Sequence, residues 1–261
     1  MAQEQDKKYV EAMAKEHADD KPIDTPASQA QPEMPVTGDM VSLKRDQPAY
    51  WAVPQEQERI KASLVVIHEW WGLNDQIKSV TRQLAGQGYA ALAVNLYNGK
   101  DAVDDPQQAM AIMNEALQNK QAMVECLRDA VAYLKEQNAE TKLGVIGWCF
   151  GGGWALQTSL LEPMDATVIY YGHLQCEQEQ LQNQLKGPIL GIFGEKDGSI
   201  TVEHVQTFKE ALQKANHPHE IHIYPNADHA FANPSGTMYN ETAAKDAWDK
   251  TLAFFRKNLL D

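Results

Sequence analysis

Beyond residue 60 the chain alternates short apolar runs with longer stretches of helical period. Leu64 to His68, Ala90 to Asn95, Leu143 to Gly147, Thr167 to Tyr171, Ile189 to Phe193 and Ile221 to Tyr224 are each short, largely apolar and bounded by turn residues. That is the pattern of strands buried on both faces of a parallel sheet. Between them, Ile77, Val80 and Leu84 mark one helix face, Met123, Leu127, Val131 and Leu134 a second, and Val202, Val205, Phe208 and Leu212 a third. Trp248, Leu252, Phe255 and Leu259 mark a terminal helix. Ahead of this region, Val41 to Leu43 and Tyr50 to Val53 flank the turn-like Asp46-Gln47-Pro48 and predict an opening hairpin. The whole pattern predicts an α/β fold, a mostly parallel central sheet with helices on both faces.

Residues 1–40 read differently. They are dominated by Gln, Asp, Glu, Lys, Ala and Pro, and Pro22, Pro26, Pro32 and Pro35 interrupt any long regular element. An irregular N-terminal extension is expected, with a helical turn or two over Lys8 to His17, followed by one domain over residues 41–261. The length of 261 residues fits one good-sized domain with an appendage.

Charge and cysteine usage then narrow the function. Lysine and arginine total 23 against 36 aspartates and glutamates, a net charge of −13, which disfavours nucleic-acid backbones and anionic membranes as partners. No apolar stretch approaches the roughly 18 residues of a membrane helix, and MAQEQDKKYV lacks the basic-then-apolar order of a secretory signal. Three cysteines without C-x-x-C spacing argue against a disulfide framework or a zinc ribbon. A cytoplasmic protein is expected, or a periplasmic one if a signal was removed ahead of Met1. It would act on a small molecule as a monomer or small homo-oligomer.

The stretch richest in chemistry is Gly147-Trp148-Cys149-Phe150-Gly151-Gly152, where an apolar strand runs into a helix-forming segment. This matches a nucleophile elbow with cysteine in place of serine. The glycines on either side leave room for a tight strand-to-helix turn, and the helix N-terminus beyond favours a thiolate at Cys149. Two strand-end loops follow in the order such a site requires: Gly194-Glu195-Lys196-Asp197, then Asp228-His229-Ala230-Phe231. His229 is the candidate base for the thiol, and Asp197 the carboxylate that fixes its tautomer, with Glu195 and Asp228 as rivals for that role. An earlier loop, His68-Glu69-Trp70-Trp71-Gly72-Leu73-Asn74, is placed to give one oxyanion amide from Trp70 beside that of Phe150. Glu69 is either an exposed loop carboxylate or a group that holds the thiol proton. Trp71 is a candidate for an apolar acyl pocket. His217, His219 and His222 lead into a strand without a carboxylate or cysteine frame, so no metal site is expected there.

Together these segments, with Gly88 to Tyr97 and Tyr170-Tyr171-Gly172, resemble the dienelactone hydrolase family of α/β-hydrolases. The resemblance covers roughly residues 41–260. It implies a cysteine hydrolase that opens a lactone or ester through an acyl-enzyme, with no metal or cofactor, and it implies that Glu69 engages the resting Cys149 thiol. Family members that act on dienelactone grip its carboxylate with two arginines. The corresponding positions here are Gly99 and Asn233. Lys100 is a candidate substitute, with Tyr97 beside it, although a point charge does not reproduce a bidentate fork. A general carboxylesterase or thioesterase, indifferent to anionic substrates, is therefore the second reading, and a non-enzymatic ligand-binding protein or thiol sensor the third.

Overall fold

The computed structural model describes residues 2–260. A helix α1 (Ala2–Glu16) comes first, then the strands β1 (Val36–Ser42), β2 (Pro48–Pro54) and β3 (Ala62–Ile67). Helix α2 (Asp75–Gly86), strand β4 (Tyr89–Val94), and helices α3 (Pro106–Gln118) and α4 (Lys120–Gln137) follow. Next are β5 (Lys142–Trp148), α5 (Phe150–Leu161), β6 (Ala166–Tyr170), α6 (Gln178–Asn183) and β7 (Ile189–Gly194). The chain closes with α7 (Val202–Lys214), β8 (His219–Tyr224) and α8 (Glu241–Phe255), the last running into a turn of π-helix over Arg256–Leu260.

The eight strands form one sheet in the order β1-β2-β4-β3-β5-β6-β7-β8. β1 and β2 make the antiparallel opening hairpin, β2 pairs antiparallel with β4, and every pairing from β4 to β8 is parallel. Burial explains the sequence pattern. β3, β4, β6 and β7 are buried at every residue, whereas the edge strands β1 and β8 alternate or lie half exposed. Central strands covered by helices on both faces need continuous apolar runs; edges do not.

Strand order places the site. The chain runs β3 to β4 on one side of β3 and then returns to β5 on the other, so β3 and β5 flank a switch point. Their C-terminal loops diverge over a crevice, the standard ligand position in an open α/β sheet. Local caps fix where the flanking helices begin: the Asn74 side chain accepts from the Ile77 amide at 3.1 Å and starts α2.

The N-terminal arm departs from expectation. Instead of an irregular extension, Ala2–Glu16 is a continuous helix and the sheet already starts at Val36. Its sequence is mostly polar, but Val10 and Met13 lie on one side and are buried in the main core. Tertiary burial of that narrow stripe supports a helix that its composition alone does not announce. Beyond α1 the arm continues across the C-terminal ends of the strands. The Ile23 amide donates to the Ser235 carbonyl at 2.9 Å, and the Thr25 hydroxyl to the Pro234 carbonyl at 2.9 Å.

Candidate active site

Cys149 sits between β5 and α5 with φ of +55° and ψ of −118°, a backbone conformation rarely adopted by a residue with a side chain. Neighbouring glycines make the turn possible. A Cβ on Gly147 would lie 2.0 Å from the Gly151 carbonyl oxygen, and one on Gly151 would lie 2.4 Å from the carbonyl oxygens of both Ile67 and His68. The Cys149 amide donates to the Tyr170 carbonyl at 3.0 Å and its carbonyl caps α5 by accepting from Gly152 at 3.0 Å. The amide of Phe150, at the first position of α5, has no acceptor within the helix.

His229 and Asp197 approach from the loops after β8 and β7. The His229 Nδ1–H donates to Asp197 Oδ2 at 2.7 Å, with both side chains fully buried. Asp197 Oδ1 accepts from the amides of Ser199 at 2.8 Å and Ile200 at 2.7 Å, which fixes the carboxylate plane. Its rival Glu195 is exposed and holds the Asn226 amide at 3.0 Å, and Asp228 is only partly buried. With Nδ1 committed to Asp197, His229 Nε2 is left buried and without a hydrogen-bond partner, on the side of the thiol.

Burial pushes the Cys149 thiol up, but the His229 charge and the hydrogen bond and charge of His17 outweigh it and bring the thiol down to about 6. His229 moves the opposite way: burial lowers it, and the charges of Asp197 and Cys149 lift it well above the ordinary imidazole value. The two shifts run in the directions that favour a thiolate beside an imidazolium.

The loop after β3 is tied down by hydrogen bonds. His68 is fully buried, which pulls its pKa down to about 4 and keeps it neutral. Its Nε2 accepts from the Leu96 amide at 3.1 Å, so Nδ1 carries the proton and donates to the Glu69 carbonyl at 2.5 Å. The Tyr97 hydroxyl donates to the Trp70 carbonyl at 2.8 Å. Tyr97 thus braces the loop that carries the Trp70 amide rather than standing free in a substrate pocket.

Glu69 is buried, and its carboxylate accepts from Asn233 Nδ2 and, at 3.4 Å, from the Tyr171 hydroxyl. Burial and the Cys149 charge push it up to about 8. The hydrogen bonds described for Glu69 therefore run to Asn233 and Tyr171, whereas the thiol faces two imidazoles. Asn233, at one of the positions noted above, turns inward to hold this carboxylate. Lys100, the candidate cation, extends to Glu115 on the half-exposed surface. Trp71 is buried, with its ring 5.9 Å from that of His17.

His17 was not anticipated. It follows α1 directly, is 1% exposed, and places Nε2 4.0 Å from Cys149 Sγ. Its ring lies 4.8 Å from Trp70 and 5.3 Å from His229. Its signal was the spacing Val10, Met13, His17 on one helical face, hidden in a polar, proline-containing segment. One donor atom from each of His17, Cys149 and His229 lies within 4.8 Å of the other two. Ligands on a tetrahedral zinc stand roughly 3.5 Å apart, so the cluster would have to close in before it held an ion.

Sheet order, elbow and loop positions together define an α/β-hydrolase. Residues 48–259 match the model of the dienelactone hydrolase family, and the chain belongs to that family. A relative from Saccharolobus solfataricus, provisionally named carboxymethylenebutenolidase, is 34% identical over 245 residues that cover 80% of this chain and 93% of that one. A similarly named protein from Salmonella typhimurium is 31% identical over 225 residues, covering 80% of this chain and 82% of its own. Among solved structures, a provisionally assigned dienelactone hydrolase from Klebsiella pneumoniae superimposes with a TM-score of 0.76 at 28% identity, covering 85% of this chain and 99% of that one. The protein is a dienelactone hydrolase-like hydrolase of small molecules. Among the described residues, no helix is long and apolar enough to cross a membrane.

Proposed function

We propose that this hydrolase cleaves a small lactone or carboxylic ester through an acyl-enzyme on Cys149. The observation that carries the reading is the thiol at a strained elbow beside a buried imidazole whose far nitrogen is held 2.7 Å from Asp197. Cys149 Sγ attacks the carbonyl carbon, and the amides of Phe150 and Trp70 receive the oxyanion, each such donor being worth about 3–4 kcal/mol. As the tetrahedral intermediate collapses, the His229 imidazolium gives its proton to the departing oxygen. The neutral imidazole then takes a proton from water as that water attacks the thioester, and Asp197 keeps the tautomer correct throughout. Glu69, close to the sulfur but held by Asn233 and Tyr171, tunes the thiol electrostatically.

A cavity of about 250 Å³ lies beside Phe150, the residue after Cys149, lined also by Tyr9, Lys120, Trp154 and His173. Neutral substrates are favoured over carboxylate-bearing ones, because Lys100 is tied to Glu115 and Asn233, at the second arginine position, is turned inward to Glu69. A general carboxylesterase or thioesterase is the second reading on that ground. Three unpaired cysteines suit a reducing, cytoplasmic compartment. The test is a hydrolysis panel of p-nitrophenyl acetate and butyrate, a thioester, and lactones with and without a carboxylate, run on wild type and Cys149→Ala. Turnover confined to wild type is expected; equal turnover by a cleanly purified Cys149→Ala protein removes the proposal.

A further inference from the structure

Cys149 faces two imidazoles, each backed by a carboxylate. On one side stands His229 with Asp197. On the other, His17 Nδ1–H donates to Asp20 Oδ2 at 3.0 Å, and both of those side chains are as buried as the first pair. Asp20 is itself fixed, since its Oδ1 accepts from the amide of Thr237 at 2.9 Å and from the Thr237 hydroxyl at 3.0 Å. Both Nδ1 atoms being engaged by carboxylates, the Nε2 atoms of both rings are the ones left for the sulfur. The arrangement repeats, on the arm, the carboxylate–imidazole geometry that the hydrolase domain supplies.

We infer that His17, positioned by Asp20, is a second imidazole of the active site, an arm-borne partner that holds the resting Cys149 as a thiolate together with His229. The inference rests on Cys149 being the nucleophile. Proton accounting gives the two rings different parts. A thiol has one proton to give, and His229 takes it. A thiolate between the rings accepts from both only when His17 Nε2 has taken a proton from solvent. The Asp20 carboxylate and the thiolate itself favour that: burial lowers His17, yet these two partners raise it overall, while His17 and Thr237 hold Asp20 below its ordinary value.

The other titratable groups within electrostatic reach of the sulfur bring it no positive charge. Glu69 stands on the loop after β3, Tyr97 after β4, Tyr171 after β6 and Tyr9 on α1; burial and the charge of Cys149 raise all four. Asp197 reaches the thiol only through His229. Those four groups stay protonated near the thiol midpoint of about 6, so in this water-excluded surround the charges that stabilise the thiolate are the two imidazolium rings. On acylation the sulfur loses its charge and His17 loses its acceptor, while His229 goes on to serve the leaving group and the water.

The measurement is the ultraviolet thiolate absorbance of the full-length protein as a function of pH. Wild type, His17→Ala, His17→Gln and Asp20→Asn are each compared with their Cys149→Ser counterpart as blank. Burial lifts Cys126 and Cys176 to about 12 and 11, so neither contributes near the Cys149 transition. Removing a cation at this distance is expected to raise the Cys149 midpoint by roughly 1–1.5 units in His17→Ala, the low end of the range for a facing opposite charge, with a smaller rise in Asp20→Asn. His17→Gln, which keeps a hydrogen-bond donor without the charge, should fall between wild type and His17→Ala. kcat/KM should fall about tenfold at the wild-type midpoint and recover at alkaline pH, a recovery that a packing role would not produce. An unchanged midpoint in folded His17→Ala and Asp20→Asn, with kcat/KM unchanged or raised, overturns the inference and makes the arm a plug. That outcome leaves the nucleophile assignment intact, because the latter stands or falls on Cys149→Ala.

Discussion

The two His–carboxylate pairs around Cys149 are alike in geometry and unlike in support. Asp197 and His229 follow β7 and the edge strand β8, which pair in parallel, and Asp197 is held by two amides of its own loop. His17 and Asp20 belong to an arm that rests on Val10 and Met13, an ion pair between Asp6 and Lys120, the stacking of Tyr9 on His173 at 4.5 Å, and bonds to the 234–237 loop. The first pair is carried by loops anchored directly on the sheet. The second can lift by local unfolding, since segments with few buried contacts open at the lowest cost. Cys149, Glu69 and His229 are all buried, so substrate reaches them only when a covering segment moves.

The largest effect that separates the pairs is expected from the core side. Cys149→Ala should abolish turnover, and His229→Ala or Asp197→Asn should lower kcat by about 10³–10⁴, measured on p-nitrophenyl acetate, with an unchanged far-ultraviolet spectrum. His17→Ala should cost about tenfold near the thiol midpoint, so losses of similar size from the two histidines would erase the distinction between them.

The pH profile comes next. Because the Cys149 thiol is lowered to about 6 and His229 is raised, the productive ion pair exists between the two transitions. kcat/KM should rise with pH through about 6 as the thiolate forms, then fall at higher pH as the His229 imidazolium loses its proton. A profile that climbs through neutrality without a descending limb would contradict an imidazolium donor to the leaving group.

Packing provides the smaller contrast. Truncating Ile146, fully buried in β5, should cost about 2–5 kcal/mol of global stability in a denaturant melt. Met13→Ala on the arm is equally buried but should show itself mainly as faster proteolysis ahead of Val36, with the melt of the domain changed by less. Equal effects on both readouts would mean that arm and domain unfold as one unit.

The same contrast explains what could be read from the chain. The five interior strands β3 to β7 were legible because burial on both faces demands uninterrupted apolar runs, the edge strand β8 by its short Ile221 to Tyr224 stretch, and Cys149, Asp197 and His229 each lie at the end of one of these strands or in the loop after it. Glycines at 147 and 151 were legible for a steric reason that the contacts bear out. His17 and Asp20 were not, since their positions depend on a helix supported by two apolar side chains and on a loop more than 200 residues away. The neighbours of Glu69 were hidden for the same reason: Tyr171 and Asn233 reach it from loops 102 and 164 residues along the chain. Lys100 was read by its place beside a strand end, and the actual partner, Glu115, comes from the exposed face of α3.

The most direct test of the central claim is intact-mass analysis of the protein quenched in acid during turnover of p-nitrophenyl acetate. The account predicts a population heavier by one acetyl group, mapped by peptide digestion to Cys149, absent in Cys149→Ala and accumulating in His229→Ala as deacylation slows. Turnover without any adduct on Cys149, or an adduct on another residue that forms at the turnover rate, would contradict it.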